Sequence, residues 1–177
     1  SLSRANRGRD TEGPRLGDEA VLNSSYGTGI PIVAGTKEIS GNVIWMTPRR
    51  EVAISTEVGG KGGGSSTSTT YKYYLDAAIL LGEGEAAGIR KMTFSGELKY
   101  NVSDDASSET VMASALNAAA VRFYPGTETQ EADPLIVSHE GADAPAYRGY
   151  CYVVFESIYG PNSDAPLPHI TTELVLS

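Results

Sequence analysis

The side chains in this chain that could carry chemistry are few and far apart. Lys61 lies among five glycines in the run Gly59-Gly60-Lys61-Gly62-Gly63-Gly64-Ser65-Ser66, which invites comparison with a phosphate-binding loop. Such a loop needs four residues between its first glycine and a Gly-Lys-Ser/Thr, after a strand and before a helix. Here glycine follows the lysine and the next segment has strand character, so the run reads as a flexible loop tip. The two histidines, His139 and His169, stand far apart and outside any His-Glu-x-x-His spacing, whereas zinc takes three or four ligands. Cys151 is the single cysteine and sits in the most apolar run, as a small core residue does. Paired acids occur at Asp104-Asp105 and at Glu83/Glu85, and paired acids can hydrolyse glycosides. The first pair lies before a helical pattern, where capping and the helix dipole explain it, and the second lies in a glycine turn. No residue is therefore assigned as catalytic, as a metal ligand or as cofactor-binding, and the chain is read as a non-enzyme. Asn23-Ser24-Ser25 and Asn101-Val102-Ser103 match the glycosylation pattern, but no secretory leader is read in the polar, Arg-rich first 20 residues.

The elements around these residues are mostly strands. Gly41–Met46 is a continuous apolar run and predicts a buried strand. Val52, Ile54, Thr56 and Val58 alternate with Glu51, Ala53, Ser55 and Glu57, as a half-exposed strand does. After the glycine-rich tip, Thr69, Tyr71, Tyr73, Leu75, Ala77, Ile79 and Leu81 take one face. Ser68, Thr70, Lys72, Tyr74 and Asp76 take the other, so the pair forms a long β-hairpin. Ile89–Phe94 and Glu97–Val102 flank Ser95-Gly96, a tight hairpin turn. Val111, Met112, Ala115, Leu116 and Ala119 recur at helical spacing, which predicts a helix over Ser108–Ala120. Asp133–Glu140 reads as a second, short helix with Pro134 in its first turn and Gly141 at its end. Tyr150–Phe155 is apolar on both faces, as a central covered strand is, and Ile170–Leu176 alternates as a closing strand.

These elements predict a mainly β (α+β) fold: an antiparallel barrel or sandwich of seven or eight strands with one or two short helices inserted late. Residues 1–18 form an Arg-rich, flexible arm that orders only in an assembly. Residues 19–177 form the β-rich domain, with 101–145 as a helix-containing insertion. The 177 residues suffice for one core, and the net charge of −8 makes the chain a poor grip on a phosphate backbone. The longest apolar runs, Ala77–Leu81 and Tyr150–Phe155, are too short to span a bilayer, so no membrane association is expected.

Several runs also look familiar. Arg15-Leu16-Gly17-Asp18, Ser25-Tyr26-Gly27, Ile30-Pro31-Ile32-Val33 and Gly41-Asn42-Val43-Ile44-Trp45 resemble the start of phage tail hub proteins, the central tail-tip proteins of long-tailed phages and of gene transfer agents. The resemblance continues at Lys61-Gly62-Gly63 and Tyr71-Lys72-Tyr73. It returns at Tyr124-Pro125-Gly126-Thr127-Glu128-Thr129-Gln130, at Asp133-Pro134-Leu135-Ile136 and at Pro145–Phe155, and by these anchors covers about four fifths of the chain. It implies a β-barrel hub domain that continues the tail tube, assembled as a homotrimer beneath a hexameric tube and distal tail ring. Three departures stand out. Related hubs usually run several hundred residues longer, which suggests a split hub gene or a fragment. Gly82-Glu83-Gly84-Glu85 replaces their acidic-Gly-Pro turn. Gly160-Pro161-Asn162-Ser163-Asp164 alters their proline-rich connection.

The expected role is thus structural: a virion protein of the tail tip or baseplate, assembled in the host cytoplasm, with no cofactor. Its partners are further copies of itself, tail ring proteins and other tail-tip proteins. DNA only passes in transit through an acidic lumen, to which it would not stick. Arg4, Arg7 and Arg9 of the arm, Lys61 at the hairpin tip, and Tyr71, Tyr73 and Tyr74 are the residues expected at subunit interfaces, Tyr74 as the outward-facing one. The competing reading is a receptor- or carbohydrate-binding β-sandwich adhesion module, which would show exposed aromatic side chains near loop tips.

Overall fold

A computed structural model describes residues 11–12, 36–59, 65–102, 121–160 and 167–176. Among them ten strands form two sheets, with one short helix, so the mainly β class is as expected and the strand number is higher. The axis of the fold is β5 (Ser65–Glu83), nineteen residues long. Along one edge it pairs antiparallel with β3 (Asn42–Met46) at its inner half and with β4 (Arg50–Gly59) at its outer half. On its other edge it pairs antiparallel with β9 (Tyr150–Gly160), and β8 (Val121–Tyr124) pairs antiparallel with β9 beyond that. β1 (Thr11–Glu12) adds a two-residue parallel contact at Ser68 and Thr69, so part of the arm lies on the hairpin. The second sheet runs β2 (Thr36–Ser40), β10 (Ile170–Leu176), β6 (Ala86–Phe94), β7 (Glu97–Asn101), all antiparallel.

The hairpins follow from local chemistry. Ser95 (φ 50°) and Gly96 (φ 84°) are both left-handed, as a two-residue type I′ turn requires, and β6 and β7 meet across them. β4 and β5 pair over ten residues with no register shift, Arg50 opposite Tyr74 and Gly59 opposite Ser65. The short helix α1 (Pro134–Glu140) starts at Asp133, whose side chain accepts the Leu135 amide, and ends at Gly141 with φ 75°.

The core lies between the sheets. Leu75, Ala77, Ile79 and Leu81 of β5 and Cys151, Val153 and Phe155 of β9 meet Ile89, Met92 and Leu174 of the second sheet. The opposite face of the first sheet is covered too: Ala78, Tyr152 and Val154 pack under Ile136 of α1. Burial on both faces explains why Cys151–Phe155 is apolar without alternation. Gly41–Met46 corrects the expectation of a buried strand. β3 is half-buried throughout, and among the described residues it pairs with β5 alone. Val121–Tyr124, inside the stretch read as an insertion, is an integral strand of the first sheet. The helix expected over Ser108–Ala120 lies outside the described residues.

Replacing a ring at the centre of this core leaves a cavity, whereas the outer hairpin has little to lose. Phe155→Ala should lower the unfolding free energy by about 3–5 kcal/mol, and Thr56→Ala by less than about 0.5 kcal/mol, measured by urea denaturation.

Candidate functional site

The most densely bonded polar cluster lies where β8, β9 and the loop before α1 converge. Asp133 is fully buried and accepts four hydrogen bonds. Arg122 donates Nε to Oδ2 at 2.7 Å and Nη2 to Oδ1 at 3.0 Å, Tyr124 donates its hydroxyl at 2.7 Å, and the Leu135 amide donates at 2.8 Å. Arg122 also reaches Glu156 at 3.0 Å. Burial alone would raise the Asp133 pKa, but the hydrogen bonds from Arg122, Tyr124 and Leu135 outweigh it and hold the carboxyl below its ordinary value. The same pairing raises the Arg122 pKa, and burial raises that of Tyr124. The Tyr124 ring stacks flat on Tyr152, 4.5 Å between centroids, with Tyr147 edge-on at 5.2 Å.

Gln130 ties down the loop beside it. Its Oε1 accepts the Gly126 amide at 2.8 Å, and its Nε2 donates to the carbonyls of Ala146 and Tyr147 at 2.9 and 3.1 Å. Gly126 has φ 93°, and a Cβ there would meet the Gly84 carbonyl at 2.6 Å, so no other residue fits. The run Tyr124–Gln130 is thus explained by geometry. Arg122 pairs with both Asp133 and Glu156, and the cluster acts as a clamp that fixes α1 and the loop to the sheet.

The groups that could do chemistry are elsewhere and apart. Cys151 is buried, its thiol pushed up to about 11 by desolvation, and its Sγ donates to the Gly82 carbonyl, so thiolate is scarce near neutrality. His139 is exposed and packs on Trp45, whose Nε1 donates to Glu140 at 2.9 Å. His169 is exposed and lies near the hydroxyls of Ser40 and Thr171. Glu83 and Glu85 are exposed at the turn between β5 and β6, while Asp104 and Asp105 lie outside the described residues. Among the described residues no three His, Cys, Asp or Glu side chains gather as a metal site would need. No helix among them is long and apolar enough to cross a membrane.

What remains is surface. Past the last pairing with β9, β4 and β5 continue as a hairpin, with β1 alongside at Ser68 and Thr69. Tyr71 and Tyr73 lie on its core-side face, and Tyr73 donates to Glu51 at 2.9 Å. Tyr74 points to the opposite face. It is half-buried against Tyr159 (centroids 5.9 Å), so Tyr159, at 47 % exposure, is the more outward ring. The three tyrosines are thus not on one face. Arg4, Arg7, Arg9 and Lys61 lie outside the described residues. At the base of the hairpin, Asp76 holds a bulge in β9: Ser157, with φ 59°, donates its amide at 2.7 Å, and Arg50 donates at 2.9 Å. Between the sheets a cleft of about 420 Å³ opens over the edge-to-face pair Phe94 and Phe155, with Val121, Ile158 and Pro168 in its walls. Periodicity does not signal the cleft or the Asp133 clamp, because both join residues distant in sequence.

Asp133→Asn should lower stability by about 3 kcal/mol at pH 7, since it leaves a buried pair broken. A depressed carboxylate pKa contributes fully above the unfolded value of about 4 and is lost as pH falls through the lower folded value. The gap between parent and variant in urea midpoint should therefore be constant from pH 7 to about 5 and close below about 4.

No protein-family model and no curated protein match this chain. A solved structure does: a chain from the virion of a native gene transfer agent (GTA) particle superposes with a TM-score of 0.57 at 26 % identity. The match covers 99 % of this chain and 31 % of that chain.

Proposed function

We propose that this chain is a structural component of a virion tail, serving as a hub module at the tail tip that continues or closes the tail tube. The observation that carries this reading is the similarity to a chain of a gene transfer agent virion across 99 % of the sequence. The resemblance of Tyr124–Gln130 and Pro145–Phe155 to tail hub proteins agrees with it, and both runs build the clamp that fixes the fold. The role is structural: the densest polar cluster is consumed in positioning α1. The long β4–β5 hairpin, ten paired residues on each strand, suits a subunit that must reach a neighbour. On this reading the chain forms a homotrimer, binds tail ring and other tail-tip proteins, and presents an acidic lumen through which DNA passes. Arg4, Arg7, Arg9, Lys61, Tyr71, Tyr73 and Tyr74 are its proposed interface residues.

The exposed Tyr159 ring, flanked by Tyr74 and by Lys72 at 5.9 Å, favours a second reading as a glycan-binding module. Light scattering on the purified 18.7 kDa chain separates the two. The hub reading expects the mass of three copies, or a defined complex with the tail ring protein. A monomer that ignores tail proteins and binds glycans overturns it.

A further inference from the structure

On the α1 side of the first sheet a pocket of about 320 Å³ opens between Arg50 of β4, Asp76 of β5, Glu156 of β9 and Leu135 and His139 of α1. The fold uses only some of its polar atoms. Asp76 is 4 % exposed, and its Oδ1 accepts both the Arg50 guanidinium and the Ser157 amide. Its Oδ2 accepts no hydrogen bond among the described residues. Glu156 is exposed; it holds Arg122 through Oε2 and leaves Oε1 uncommitted among them. Arg50, also exposed, gives Nη2 to Asp76 and to Ser157 Oγ, each at 2.9 Å, while its Nε and Nη1 have no partner among them. Leaving a buried carboxylate oxygen without a donor is costly, so Asp76 favours a ligand that brings one.

The mixture of groups decides the chemical class. Asp76 and Glu156 oppose a bound anion, and Arg49 and Arg50 oppose a bound cation. A hydroxyl both donates and accepts, so carboxylate oxygens beside guanidinium N–H groups suit an uncharged ligand with several hydroxyls. Pro48 and Leu135 give its C–H groups an apolar wall. A sugar ring carries both kinds of group on one rigid frame, and the volume is at the small end of small-molecule sites. The surface beside the pocket extends it. Tyr74 lies two residues before Asp76 on the same face of β5, about 7 Å along the strand. Tyr159 stands opposite Tyr74 with its ring 47 % exposed, an apolar plate for a second sugar unit.

We propose that this pocket binds an uncharged oligosaccharide, one ring held by Arg50, Asp76 and Glu156 and the next resting on Tyr159. The inference rests on the glycan-binding reading above, names its site, and holds for one copy or several. The full chain, fluorescently labelled, is applied to an array of neutral and acidic saccharides, and the strongest neutral binder is then titrated by calorimetry. Glu156→Gln keeps an oxygen for Arg122 and turns the other acceptor into a donor; Tyr159→Ser removes the plate. Each should weaken binding about tenfold or more with the urea midpoint unchanged. Leu98→Ser, at an exposed position of the second sheet, should bind as the parent does. His139→Ala, at an exposed position of the pocket wall, replaces Glu156→Gln should that variant not fold. A parent that retains no saccharide overturns the glycan reading and this site together. Binding that both variants leave undiminished overturns only the site, and a preference for acidic saccharides overturns the class of ligand.

Discussion

One strand must satisfy its backbone along two edges and nineteen residues, and most of the structure is arranged around how β5 does so. Its inner half is desolvated on both faces, so every amide and carbonyl there needs a strand partner. β3 and β9 supply them. Along its outer half the β4 ladder and the two-residue β1 contact are the pairings described. The change of partners falls at Asp76. That side chain is buried, pinned by Arg50 and the Ser157 amide, and marks where β9 bulges away. One continuous strand thus joins the packed core to the β4–β5 hairpin.

The second constraint is the buried carboxylate of Asp133. An unpaired charge there would be costly. Instead a fork from Arg122, a tyrosine hydroxyl and a helix amide converge on it, and a single residue thereby sets β8, α1 and the Tyr124–Tyr152 stack in register. Gln130 and Gly126 perform the matching task for the backbone of the preceding loop. The α1 side of the sheet is therefore held by polar geometry around a small apolar patch, while the opposite side is held by apolar area.

Those two modes explain what could be read from the residues in advance. The hairpin over β4 and β5, the Ser95-Gly96 turn, the Asp133-capped helix and the doubly covered Tyr150–Phe155 strand are encoded locally, by alternation, turn chemistry and capping. They emerged close to the expected residues. β8 did not, because four residues give too short a pattern, and its place is set by Phe155 and Tyr152 on β9. The half-burial of β3 also escaped, since an apolar run does not say how far a strand is covered. At the surface, the faces of Tyr71, Tyr73 and Tyr74 were legible from alternation, but the half-burial of Tyr74 depends on Tyr159, eighty-five residues later. The cleft required knowing that two sheets meet, which no local pattern states.

A strongly packed core, a polar clamp holding the short α-helix and a long β4–β5 hairpin make up the described structure, and the role proposed for it is that of a tail component. The most direct measurement is electron microscopy of purified particles labelled with gold-conjugated antibody against this chain. The account predicts label at one pole of the particle, at the end of the tail. Particles that are complete yet carry no label, or that carry it scattered over the head, would contradict it.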